Sequence, residues 1–241
     1  MTKMIVLLYG VVSYFIGVIG LACIILALVG RVPYGFLWSG GNVAINGFVW
    51  NALLVASWGV IHTLTARPSF KAGLVRFIPE PAERSTYVMV SGLTSIALIG
   101  LWKTVPGMVW QFEATALVYA LWGLFAFGWM FLLTATFAIN HFDLFGLRQV
   151  YLNFRNRPRP PLAFTQKLMY RYIRHPIQTG VLIGIWATPA MSMTQITLSI
   201  GFTAYIFIGL WFEERDLIAE HGDDYRHYRK QAGSVLPKFG K

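Results

Sequence analysis

Four stretches of this chain are apolar over lengths that meet or approach a bilayer crossing, and nothing else in the sequence constrains the fold as strongly. Crossing about 30 Å of hydrocarbon takes roughly 20 helical residues. Met4 to Val29, Val43 to Leu64, Val88 to Trp102 with its flanks, and Ala114 to Ile139 are the candidates. A further apolar tract, Ile177 to Phe212, is interrupted at PAMSMT (189–194) and reads as a helical hairpin with a short first arm. The first run follows Lys3 as a signal peptide would, but it exceeds the usual length of about 7 to 15 residues. No clear small-residue cleavage site follows, so it counts as a span. The expectation is an all-α integral membrane protein of five to six transmembrane helices with a C-terminal helical hairpin.

Composition agrees. Of 241 residues 56% are apolar and only 12% charged, with a mean hydropathy of +0.56, which excludes a soluble globule. Disorder is excluded by 18 Phe, 11 Tyr and 9 Trp. Cys23 is the single cysteine, so no intramolecular disulfide or cysteine metal cluster can form. Lys and Arg number 20 against 10 Asp and Glu, an excess that in a soluble chain would suggest nucleic acid. Their placement says otherwise. With the N terminus in the cytoplasm, every basic residue except Arg31 and Lys103 falls in the inner segments 1–3, 66–87, 140–176 and 213–241. This is the positive-inside pattern, with both termini cytoplasmic and lipid rather than nucleic acid as partner. No internal repeat is evident, so residues 1–241 read as one membrane domain, with spans over 4–139 and a core over about 140–241. RNRPRPP (155–161) reads as an extended connector among lipid headgroups.

Polar side chains inside spans are costly, so their positions point to function. Asn51, Trp58, His62 and Thr65 recur at helical spacing on one face of the second span, with packing between helices as the plain alternative. The fourth span ends in Thr134, Phe137, Asn140 and His141, leading to Asp143, Arg148 and Gln149 at the membrane boundary. Tyr170, Tyr172, Arg174, His175 and Pro176 precede the hairpin, and proline suits the first turn of a helix. Up one arm and down the other, the hairpin returns the chain to that level and brings Glu213, Glu214 and Arg215 to Arg174 and His175. A structural salt bridge is the alternative there. Gly180 and Gly184 have the spacing for close helix packing, expected to let the two arms touch. The tail from Asp216 to Lys230 is amphipathic. No metal-ligand spacing, glycine-rich phosphate loop or GxSxG occurs.

RHP (174–176), a hydrophobic hairpin, Glu213-Glu214, then Gly222, Tyr225, Tyr228 and Pro237 together resemble the isoprenylcysteine carboxyl methyltransferase superfamily. HTLTARPSFK (62–71), ERSTYV (83–88), NHFDLFGLRQ (140–149), and WATPAMS with EERDL (213–217) look like its bacterial methanethiol S-methyltransferase branch. The resemblance implies an integral-membrane enzyme of a bacterial inner membrane using S-adenosylmethionine in a cytoplasmic pocket. It places the cofactor at Tyr170, Arg174, His175, Pro176, Glu213 and Glu214, closed by Tyr225 and Tyr228, with Leu162 to Thr165 as a backbone-contact segment. Gln178 stands where the superfamily often has an aromatic residue, a departure at that cofactor contact.

For methanethiol as acceptor the thiolate is the competent nucleophile, so a base is needed. His141 oriented by Asp143 is the expected base and His62 its competitor, with Arg148 supplying positive charge and Trp58 lining the substrate site. Two other readings share these residues: methylation of a larger thiol or a prenylated carboxylate, and a transporter or membrane assembly factor without catalysis. A transport path favours ionisable groups near the bilayer midplane. The basic and acidic clusters at one membrane face favour an enzyme.

Overall fold

The computed structural model describes residues 2–38, 46–160 and 166–238. Among them the α-helices are α1 (Lys3–Leu28), α2 (Gly47–Ala66), α3 (Pro68–Leu74), α4 (Glu83–Gly100), α5 (Thr115–Ile139), α6 (His141–Leu144), α7 (Leu147–Phe154), α8 (Pro176–Trp186) and α9 (Met193–Gln231). Strands β1 (Met108–Gln111) and β2 (Ala190–Ser192) complete the set. Helices α1, α2, α5 and α9 are long and apolar enough to cross a membrane. Leu8, Val12, Phe15 and Ile19 form one face of α1 and are each more than half exposed, an arrangement that suits lipid and not water. The chain is an integral membrane protein. The third expected span forms as α4, 18 residues long with Glu83 and Arg84 in its first turn. Helix α8, the short arm, has 11 residues, about 16 Å at 1.5 Å each, which does not cross the hydrocarbon alone.

The chain divides into two compact units. The first comprises Met1–Gly107, His141–Leu162 and Met193–Leu198. Its centre is α1 against α4, where a Cβ added to Gly20 would lie 2.6 Å from the Gly92 Cα. Only small residues permit so close an approach. Helix α2 begins after Asn46, whose side chain accepts from the Phe48 N–H at 2.8 Å; Val43 to Ile45 lie outside the described residues. The polar face expected on α2 meets α4 and the chain beyond it. Asn51 exchanges two hydrogen bonds with the Lys103 backbone, at 2.8 and 2.9 Å, and Trp58 Nε1 donates to Ser95 Oγ at 3.1 Å. The start of α9 belongs here too, with Thr194 Oγ1 bonded to the backbone of Val105 and Gln195 to the Leu28 carbonyl.

The second unit comprises Met108–Asn140, Ala163–Ser192 and Ser199–Lys241. Helices α5 and α8 pack through glycine. A Cβ on Gly180 would lie 2.6 Å from the Gly128 oxygen, and one on Gly184 would lie 2.5 Å from the Trp129 ring. The Gly180/Gly184 face therefore serves α5, not the second arm of the hairpin as expected. The arms are joined by polar bonds instead: Ser199 Oγ donates to the Ile185 carbonyl at 2.8 Å, and Trp186 Nε1 to Thr203 Oγ1 at 2.9 Å.

The expected all-α description also needs amending at the hairpin turn, where β1 and β2 pair antiparallel with a bulge between Met108 and Trp110. Pro189 stops the helix, and the released backbone groups must find partners. The strand pair supplies them, aided by Trp110 Nε1 donating to the Thr188 carbonyl at 3.0 Å. Past the apolar part of α9, Gly222 (φ 55, ψ −126) kinks the helix in a conformation glycine tolerates best, and the chain continues to Gln231.

Candidate functional site

In the second unit, a 3-10 turn (Leu168–Arg171) leads through Tyr172 and Ile173 to Arg174, and Pro176 opens α8. The C-terminal segment lies along this stretch. Arg174 N–H donates to the Gly233 carbonyl at 2.8 Å, His175 N–H to Ser234 at 3.1 Å, and Gly233 N–H to Tyr172 at 3.0 Å. Backbone pairing thus anchors Arg174 and His175 before any side-chain contact is counted.

Their side chains converge on Glu214. Arg174 Nε and Nη2 lie 2.9 and 2.5 Å from Glu214 Oε1, and His175 Nε2 lies 3.1 Å from the same oxygen. Arg229 Nε approaches Oε2 at 3.2 Å, while Arg174 Nη1 donates to the carbonyl of Ala232. An ionised carboxylate only accepts, so His175 carries its proton on Nε2 to bond there. Arg174 and Glu214 side chains are 9% and 13% exposed, so this is a desolvated pair rather than a surface one. Glu213 differs: its Oε2 stands 3.8 Å from His175 Nδ1, beyond hydrogen-bond length, and its side chain is 49% exposed.

Tyr225, Tyr228 and Ala232 form a buried cluster above this pair. Tyr228 Oη donates to the Tyr170 carbonyl at 2.5 Å. Burial, with the neighbouring Tyr228 and Glu213, pushes the Tyr170 phenol well above the usual tyrosine range, so it stays neutral. Gln178 sits half-buried in the first turn of α8. Leu162 to Thr165 lie outside the described residues. An apolar cavity of about 350 Å³ has Phe127, Phe131, Ile173, Leu182 and Val235 in its walls.

The other expected site residues fall in the first unit. His141 is buried in the short helix α6, and its Nε2 lies 3.0 Å from Tyr14 Oη on α1. Burial lowers its pKa below the ordinary histidine value, favouring the neutral imidazole. Asp143 was expected to orient His141. Its carboxylate is gripped by Arg159 Nη2 at 2.8 Å, with Arg148 Nη1 at 3.8 Å. His62 stacks on Trp58, ring centroids 4.8 Å apart, and its Nε2 meets Tyr87 Oη at 2.8 Å.

Sequence reasoning missed Tyr14, Tyr87, Arg84, Arg159 and Arg229 as site partners. Arg84 and Tyr87 stand within the ERSTYV segment already singled out, and Arg159 within the RNRPRPP connector.

A membrane protein that seats arginine, histidine and paired glutamates against a tyrosine cluster has the donors and acceptors to hold a zwitterionic ligand. Comparison with known proteins narrows the class. The methanethiol S-methyltransferase of Mycobacterium tuberculosis is 40% identical over 98% of both chains. That of Crocosphaera subtropica is 36% identical over 100% of this chain and 95% of its own. Methanethiol S-methyltransferase 2 of Bradyrhizobium diazoefficiens is 40% identical over 78% of this chain and 73% of its own. The chain belongs to the methanethiol S-methyltransferase family. No family model and no solved structure matches it.

Proposed function

We propose that the protein transfers a methyl group from S-adenosylmethionine to methanethiol, giving dimethyl sulfide and S-adenosylhomocysteine, from a cytoplasmic pocket in a bacterial inner membrane. The observation that carries this reading is relatedness across essentially the whole chain to proteins named for that reaction. The topology that goes with it has five to six spans and both termini in the cytoplasm, supported by the one-sided distribution of Lys and Arg.

The residues of the second unit fit such a cofactor. Arg174, oriented with His175 by Glu214, sets a positive charge beside the site that would attract its carboxylate, and the half-exposed Glu213 is an acceptor for its amine or ribose hydroxyls. Tyr170, Tyr225 and Tyr228, buried together, would close the site with aromatic rings able to attract adenine or the sulfonium. Pro176 and Gln178 bound the site at the start of α8. When bound, the cofactor supplies an electrophilic methyl group on a positively charged sulfur.

Acceptor activation is assigned to His141. The neutral imidazole, its Nε2 held 3.0 Å from Tyr14 Oη, is the group that would take the thiol proton. The cofactor would supply both the methyl group and the sulfur that keeps the electron pair of the broken bond, and the proton taken by His141 would leave to water. Asp143, tied to Arg159 and Arg148, fixes the segment that carries His141.

The test supplies purified protein with methyl-labelled S-adenosylmethionine and methanethiol and measures labelled dimethyl sulfide in the gas phase. Volatile label that depends on both protein and thiol is expected. Label only in nonvolatile lipid would replace the acceptor, and no binding of S-adenosylmethionine would overturn the reading.

A further inference from the structure

Three contacts link the membrane-embedded face of α2 to α6 within the first unit. His62 Nε2 meets Tyr87 Oη at 2.8 Å. The Tyr87 ring lies under the Arg84 guanidinium, 4.8 Å from Cζ to the ring centroid. Arg84 Nε then donates to the Leu144 carbonyl at 2.7 Å. Leu144 closes α6, the four-residue helix that carries His141 and Asp143.

A helix of four residues has no stability of its own, so its placement is decided by what grips it. Two features of α4 do so. Arg84 holds the Leu144 carbonyl. Beside it, Gly146 (φ +85) is so close that a Cβ there would lie 2.7 Å from Ser85 Oγ. Arg84 is therefore a clamp on the turn after His141, and the Tyr87 ring is the platform that aims its guanidinium.

His62 sets that platform. One face of its imidazole is stacked on Trp58 at an interplanar angle of 25°, Nε2 is engaged by Tyr87, and Nδ1 is buried. A ring held on one face and at Nε2 in this way is suited to fixing its neighbour Tyr87.

We infer that His62 is a positioning residue for methyl transfer: through Tyr87 and Arg84 it holds the α6 turn that presents His141, and it takes no proton from the acceptor. This rests on the assignment of His141 to acceptor activation. It divides the labour between two histidines that the sequence left as rivals.

Glutamine separates the roles, because it can hydrogen-bond to Tyr87 but cannot serve as a base. The full-length protein in detergent is compared with His62→Ala, His62→Gln and Tyr87→Phe for methanethiol KM, kcat and pH profile, and for backbone hydrogen exchange over residues 141–147. Expected for His62→Ala and Tyr87→Phe are faster exchange in that segment and a loss of kcat/KM of up to roughly 100-fold, the scale of a misplacement near 1 Å. Neither changes the shape of the pH profile. His62→Gln restores slow exchange and most of the activity. Tyr87→Phe removes a single hydroxyl, so it carries the test if His62→Ala does not fold. The inference is overturned if His62→Gln is as inactive as His62→Ala while exchange stays at the wild-type rate, which would make the imidazole itself the reactant. It is equally overturned if His62→Ala and Tyr87→Phe leave both activity and exchange unchanged. Wild-type protein without methyl transfer would instead remove the proposed reaction, and the exchange measurements would still decide whether His62 holds α6.

Discussion

Arg174 Nη2 lies 2.5 Å from Glu214 Oε1, an ion pair made by two residues 40 positions apart at opposite ends of the hairpin. The same oxygen takes His175, and Arg229 takes the other. Removing Glu214 would leave Arg174 buried and uncompensated, a change that costs about 3–5 kcal/mol. Glu214→Ala is expected to lower thermal stability by that order in detergent-solubilised protein, read by unfolding of the purified variant. A loss below about 1 kcal/mol, the surface-pair scale, would show that the pair is solvated.

Glu213 stands apart from that network, half-exposed and 3.8 Å from His175. Its carboxylate is therefore available to a ligand at little structural cost. Glu213→Gln is expected to change stability by no more than about 0.5 kcal/mol, the ordinary range for surface positions. S-adenosylmethionine binding should nevertheless weaken about tenfold or more, because a charge-assisted hydrogen bond contributes about 1.5–3 kcal/mol. Equilibrium binding to the purified variant tests this, and an unchanged Kd would exclude Glu213 from the cofactor site.

Some of this was legible in the sequence and some was not, for physical reasons. Apolar runs announce themselves because lipid demands a minimum length, and a hairpin must return Glu214 to the level of Arg174. The choice of partner is different. Gly180 and Gly184 state that something approaches closely, but the rotation of α8, set by packing, decides that it is Gly128 and Trp129 of α5. Tyr14 lies within an apolar run, where nothing local distinguishes a hydrogen-bonding tyrosine from a packing one until α1 is seen beside α6. Arg159 looks like a headgroup anchor until Asp143 is placed 2.8 Å away. Strands β1 and β2 have four and three residues, too few for an alternating pattern to register.

Gly180 offers a test of the α5–α8 interface. Its missing side chain allows the Gly128 oxygen and the Leu132 nitrogen to come within 2.6 and 2.7 Å of where a Cβ would be. Both atoms belong to helix backbone and cannot swing away. Gly180→Ala is expected to destabilise by about 1–3 kcal/mol, the usual cost of overpacking. Gly123, where a Cβ would meet nothing within 4 Å, supplies the control: Gly123→Ala should be neutral or stabilising by about 1 kcal/mol, from helix propensity. Thermal unfolding of the two variants side by side checks the contrast, and equal effects would refute the packing argument.

His141 links pH to both stability and rate. Burial lowers its pKa below the ordinary 6.5, so the unfolded chain binds this proton more readily than the folded one. The resulting stability is fully present above about pH 6.5 and is lost as pH falls from there through the depressed folded value. The neutral form is also the one able to accept a thiol proton, so the acid limb of kcat/KM attributable to His141 should lie below pH 6.5. His141→Gln removes the titrating group. It should abolish that limb, flatten the stability profile over the same interval and lower the rate by about 10²–10⁴-fold, the usual worth of a general base. Unfolding and methyl-transfer assays from pH 5 to pH 8 provide both readouts, with Tyr14→Phe as a companion that keeps the imidazole but removes its hydroxyl partner. A persistent acid limb in His141→Gln would move the activating base to another residue.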